Sequence, residues 1–206
     1  SRRRHTRLLT VTGVQTCALP IYYASDLLGS GGELLWRALE DLRDEGLCRK
    51  IGSSLYDPEE LDALIKKFPL QAVQLPYSIL DQRFAESLKT LRAAGIEIHA
   101  RSLFLQGLVL EKSNPTHNFF RPLAPYLERI RSYCREKCIS ALDLALAAAK
   151  RADLDVALVG VNSLQDLVEI NAAWNRDIFF DTRGLASFAC PVREMTNPSL
   201  WPTGAR

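Results

Sequence analysis

Residues 46–61 read GLCRKIGSSLYDPEEL and hold, in sixteen positions, a helix stop, a short apolar strand, a polar loop and a capped helix start. Gly46 ends a charged amphipathic segment, because a glycine just past the last periodic residue can take the left-handed conformation that closes a helix. Leu47 to Gly52 is too short for anything but a strand. Asp57 is suited to accept from the free N–H groups of a new helix, Pro58 to its first position, and Glu60 to the reciprocal arm of a capping box. The loop Ser53 to Tyr56 therefore sits at the C-terminal end of a strand, which in α/β folds is where ligands bind.

Outward from this junction the same unit repeats. Upstream, Leu35, Leu39 and Leu42 share a face of a helix over Gly32 to Glu45. Downstream, Leu61, Leu64, Ile65 and Phe68 line a helix that Pro69 stops. A second strand is predicted over Leu70 to Leu75, a helix around Phe84, Leu88 and Leu91 ending at Gly95, and a third strand over Ile96 to Ala100. An irregular stretch runs to Pro125, and a helix over Leu127 to Glu136 follows. Ser140 with Asp143 opens an alanine-rich helix to Arg151, Val156 to Val159 is a fourth strand, and Ser163 with Asp166 caps a helix to Trp174. From Asn175 onward no regular pattern is visible. Strands alternating with helices at this spacing imply a parallel sheet with helices outside it. Both an open doubly wound sheet and a closed barrel satisfy that pattern, although no GxGxxG follows any strand.

The 206 residues are 47% hydrophobic and 24% charged with a net charge of +2, which fits one soluble domain and excludes a nucleic-acid footprint. No apolar run is long enough to span a bilayer. Cys48, Cys134, Cys138 and Cys190 lack companions at metal-ligand spacing and read as buried or tolerated thiols, so a reducing cytoplasm is expected. Residues 1–21 are set apart: VTGVQTCALPI (11–21) resembles the in-frame translation of a common sequencing-library adapter, and SRRRHTR (1–7) resembles the flow-cell end of the same oligonucleotide. This segment is expected to be non-native and disordered, leaving 22–206 as the folded domain.

Four motifs, GLCRKIGSS (46–54), AVQLPYSILDQ (72–82), IEIHARSLFLQGLVL (96–110) and LVGVNSLQDLVEI (158–170), resemble in order and spacing the second half of an aldo/keto reductase. The resemblance extends over Ala24 to Asn171, and the tail NPSLWP resembles that of some bacterial members. It implies an α/β fold, the C-terminal half of a (β/α)8 barrel with four parallel strands, the fifth to eighth, and with the first four missing. It implies an oxidoreductase that transfers hydride from NADP or NAD to a small carbonyl substrate. The family's catalytic Asp, Tyr and Lys lie on the missing strands, so the chain is expected to be inactive as it stands. The family's catalytic His falls at Tyr22, either a native tyrosine or junction residue, or a histidine codon altered where the adapter ends.

The resemblance also implies the cofactor contacts. Ser54 and Gln74 match side chains that hold the nicotinamide carboxamide, with Leu55 in place of the usual Asn. Arg101 and Ser102 match the positions that stack on the nicotinamide ring and meet the pyrophosphate; an ion pair of Arg101 with Glu97 or Asp81 is the bland alternative. Gly160, Val161, Asn162 and Ser163 match the adenosine-phosphate loop, and Glu169 the acid that binds adenine. Gly160 and Asp166 stand where NADPH-preferring members often carry Lys or Arg, which speaks against NADPH. His99 reads as a satisfied interstrand histidine, while His117 stays open, and Phe119 and Phe120 either wall a pocket or staple the loop. A nucleotide-sensing or interaction protein on the same barrel is the competing reading.

Overall fold

The computed structural model describes residues 18–21, 23–111, 113–176, 178 and 182–204. Among them, five parallel strands form one open sheet in sequence order: β1 (Ala18–Ile21), β2 (Lys50–Ser54), β3 (Ala72–Pro76), β4 (Glu97–Arg101) and β5 (Val156–Ala157). The helices are α1 (Ala24–Leu28), α2 (Gly32–Asp44), α3 (Pro58–Lys67), α4 (Ala85–Ala93), α5 (Ala124–Lys137), α6 (Ala141–Arg151), α7 (Leu164–Trp174) and α8 (Arg193–Thr196).

The junction at 46–61 forms as its residues dictate. Gly46 adopts φ +77° behind α2, and the Asp57–Glu60 capping box opens α3 behind Pro58. Trp36, nearly buried, anchors α2 by stacking on Phe68 at 5.0 Å. Boundaries move by a few residues: the first predicted strand runs to Ser54, and Pro125 lies inside the first turn of α5. The tail beyond Asn175 is not featureless, since α8 is flanked by 3-10 turns over Thr182–Phe188 and Pro198–Leu200.

Of the segment 1–21, expected to be non-native, the structure describes Ala18–Ile21, which is paired in register with Lys50 to Ser53, so β2 has a neighbour on that side. A parallel ladder is made by backbone, so an extended apolar tetrapeptide satisfies the edge of β2 whatever its origin.

Register sorts the sheet into two faces. Ile51, Val73, Leu75, Ile98 and Ala100 pack beneath the helices in the main core. The opposite face is polar: Ser54, Gln74 and His99 share one row, and Ala72 is in register with Glu97. Gly52 is required in that sheet, because a Cβ there would fall 1.7 Å from the Ala72 carbonyl oxygen. A second core, including Leu80, Phe120 and Leu144, lies under the loop after β4 and the tail.

Candidate functional site at the strand ends

Ser54 ends β2 and is buried, and its hydroxyl lies 3.5 Å from Gln74 Oε1, a long contact. Leu55, completely buried in the main core, offers only its carbonyl, which accepts from Arg101 at 3.0 Å. Arg101 ends β4 with its guanidinium 4.4 Å above the Tyr56 ring, and Tyr56 in turn stacks on Tyr23 at 6.2 Å. The guanidinium therefore offers a planar surface already engaged on one side by an aromatic ring. Tyr23 and Tyr56 carry no motif, so sequence reasoning missed them. Tyr22 lies outside the described residues.

Beyond Arg101 the backbone is strained. Ser102, Leu105 and Gln106 take φ of 63°, 45° and 55°, followed by Gly107 at 88°. Left-handed non-glycine residues cost roughly 1–2 kcal/mol each, and fully buried Leu105 and Leu108 pin the segment that bears the cost. Only Gly107 hints at this in the sequence. The loop forms one wall of a cleft of about 520 Å³, with Ser102, Gln106 and Gly107 facing Gly160, Asn162, Asp166 and Glu169.

The far wall is closed on itself. The N–H groups of Asn162 and Ser163 donate to Asp166 Oδ2 at 3.0 and 3.1 Å, and the Asp166 N–H donates to Ser163 Oγ at 3.0 Å. The Asn162 amide, then the Ser163 hydroxyl, hold the Asp166 carboxyl below its usual range. The Asp166 carboxylate thus takes two of the amides that lead into α7, because a capping box competes with an anion for such donors. Glu169 accepts from Gln165 Nε2 at 2.6 Å, and Val161 sits half-buried in the same turn. Two carboxylates and no Lys or Arg line this cleft among the described residues.

A second cavity, about 680 Å³, lies where the tail docks. Its hub is Arg83, which donates to Asp81 Oδ1 at 2.8 Å, to the Tyr56 carbonyl at 3.2 Å and to Thr196 Oγ1 at 2.8 Å. Arg193 pairs with Asp57 beside it. Burial pushes the Asp81 carboxyl up, against the pull of Arg83, and its Oδ2 has no partner.

His117 is exposed and accepts the Phe119 N–H at 3.2 Å, capping a 3-10 turn. Phe120 is buried and packs edge-on against Trp201 at 4.8 Å, so these rings staple the loop to the tail. The four described cysteines are unpaired thiols, and no group of metal-ligating side chains occurs among the described residues. No helix there is long and apolar enough to cross a membrane.

Comparison with known proteins adds the following. The profile described as "Aldo/keto reductase family" matches residues 14–181. An uncharacterized oxidoreductase of Bacillus subtilis (strain 168) is 32% identical over 75 residues, 36% of this chain and 24% of that protein. An aldo-keto reductase from Bacillus halodurans in its apo form superposes with a TM-score of 0.62 at 17% identity, covering 82% of this chain and 59% of its own. A Bombyx mori aldo-keto reductase solved in complex with NADP gives 0.54 at 17% identity over 75% of this chain and 49% of its own. The chain thus spans well under two thirds of the length of these relatives, and the structural matches speak for the fold.

Proposed function

The chain belongs to the aldo/keto reductase family, and from that premise we propose that it is the nicotinamide-nucleotide-binding half of an NAD(P)H-dependent oxidoreductase barrel. The carrying observation is that Ser54, Gln74 and Arg101, from three consecutive parallel strands, stand at one end of the sheet on its polar face. Ser54 and Gln74 would take the nicotinamide carboxamide, Arg101 would support the ring, and the Ser102 to Gly107 loop would meet the pyrophosphate. The bound cofactor would supply hydride to the carbonyl carbon of a small substrate; these side chains bind and orient it.

The cleft fits a nucleotide whose distal end is neutral. With Asp166 and Glu169 present, no cation among the described residues that line it, and the Asn162 and Ser163 amides engaged, a 2′-phosphate dianion would be repelled, whereas a diol would find acceptors. NAD therefore suits this chain better than NADP. No Tyr, Lys and Asp of this chain can be assigned the family's proton-donating set, so the chain alone should bind without turnover. That same observation favours, as a second reading, a non-catalytic nucleotide sensor on the same barrel.

Titration of the chain with NADH, followed by nucleotide fluorescence, tests the proposal. Gln74→Ala should weaken binding by about 1 kcal/mol, or roughly fivefold. Absence of binding to the unmodified chain would refute it, and clear oxidation of NADH with a panel of aldehydes and ketones would refute the expected inactivity.

A further inference from the structure

His99 lies on the polar face in the same row as Gln74 and Ser54, and is only 7% exposed. Its Nε2 is 2.6 Å from Glu97 Oε1, and the other Glu97 oxygen is paired with Lys50, reaching from β2 across the row in which Gly52 and Ala72 leave room. Burial alone would raise the Glu97 carboxyl, but the hydrogen bonds from His99 and Lys50 outweigh it and hold the group below its usual range. Glu97 can only accept across that contact when ionised, so Nε2 is the ring nitrogen that donates to it, and in the neutral imidazole Nδ1 is then the acceptor. Among the described residues nothing donates to it, and nothing accepts from Gln74 Nε2. A donor on half-buried Gln74 and an acceptor on buried His99 thus stand one strand apart, about 4.8 Å, with Arg101 two residues further along the strand of His99.

We infer that His99 Nδ1 binds the amide N–H of the nicotinamide carboxamide, beside Gln74, and so supplies the acceptor that apolar Leu55 cannot. A carboxamide carries one acceptor and two donors, and the row offers the complement: Gln74 Nε2 for its oxygen and His99 Nδ1 for its nitrogen. Glu97 and Lys50 act only through His99, by holding the ring in one tautomer and one orientation, as a carboxylate behind a ligating histidine does. The inference rests on the nucleotide reading above, and its test separates the two.

The experiment compares His99→Asn with His99→Gln, titrated with NADH, each checked for folding by thermal melting. Asn places its carbonyl oxygen near the Nδ1 position and Gln places its polar atoms near Nε2. Nδ1 ligation predicts that His99→Asn binds within about twofold of the unmodified chain and that His99→Gln loses about fivefold. Any other ranking, including equal loss in both, overturns the inference. Should either variant fail to fold, the unmodified chain decides: the His99 Nδ1 nitrogen resonance must move upfield on adding nicotinamide mononucleotide, and a stationary resonance alongside demonstrable NADH binding overturns the inference. Failure of the unmodified chain to bind NADH overturns the nucleotide reading itself, and His99 ligation with it.

Discussion

Replacing Arg83 by Met should destabilise the chain by about 3 kcal/mol at neutral pH, and by less in acid. Arg83 is 15% exposed in its side chain and Asp81 only 4%, so their 2.8 Å pair is screened little by solvent. Breaking a buried pair from one side typically costs about 3–5 kcal/mol, because the remaining charge is stranded. The ceiling here is set by protonation. Neutralising a carboxyl whose ordinary value is 3.8 costs at most about 4 kcal/mol at pH 7, at roughly 1.4 kcal/mol per unit, and the native protein already bears part of this. Loss of the bonds to Thr196 and Tyr56 adds to the deficit by loosening the tail.

The sign of the pH dependence follows. Burial raises the folded Asp81 value above its unfolded one, so the native state binds the proton more tightly and stability falls as pH climbs between the two values. Removing Arg83 raises the folded value further and stretches that window upward, so near pH 4 the deficit falls to the part owed to the lost Thr196 and Tyr56 bonds and it grows toward neutrality. Urea unfolding followed by tryptophan fluorescence measures it. With a slope of about 2–3 kcal/mol per molar, the midpoint should drop by roughly 1 M at pH 8. A loss under about 0.5 kcal/mol, or equal losses at pH 5 and pH 8, would refute the stranded-carboxylate reasoning.

Asp166→Arg removes a carboxylate from the cleft, adds a cation and frees the Asn162 and Ser163 amides, so the NADPH-to-NADH affinity ratio should rise several-fold and the gain should fade at high salt. Loss of the cap acts on both nucleotides alike, so an unchanged ratio in parallel titrations would count against the cleft assignment. Gly52→Ala should abolish cooperative unfolding or cost more than about 3 kcal/mol, because its Cβ would meet the Ala72 carbonyl at 1.7 Å in the middle of a ladder; a normal melt would contradict the strand register.

Much of the fold was legible where the signals are local. Asp57, Pro58 and Glu60 announce α3, Ser140 and Asp143 announce α6, and Ser163 and Asp166 announce α7, since a capping box is read within four residues. What was hidden depends on partners far along the chain. The pairing of Ala18–Ile21 with β2 is a backbone event with no side-chain signature. The tail has no periodicity because Arg83, 113 positions from Thr196, and Phe120 against Trp201 fix its course. At the site, motif resemblance pointed to Ser54 at the end of β2, Gln74 in the middle of β3 and Arg101 at the end of β4. It could not foresee that Tyr56 engages the Arg101 guanidinium, that Asp166 accepts from the Asn162 and Ser163 amides, or that His99 pairs through Nε2 with Glu97.

The central claim, that a nicotinamide nucleotide lies across the C-terminal ends of β2, β3 and β4, is tested most directly by mapping amide and side-chain NMR shifts of the isotopically labelled chain on addition of NADH. The account predicts saturable shifts at Ser54, Gln74, Arg101, Ser102 and Gly160 to Ser163, with little change around Arg83 and Thr196. Shifts confined to the Arg83 and Thr196 cavity, or none at millimolar NADH, would contradict it.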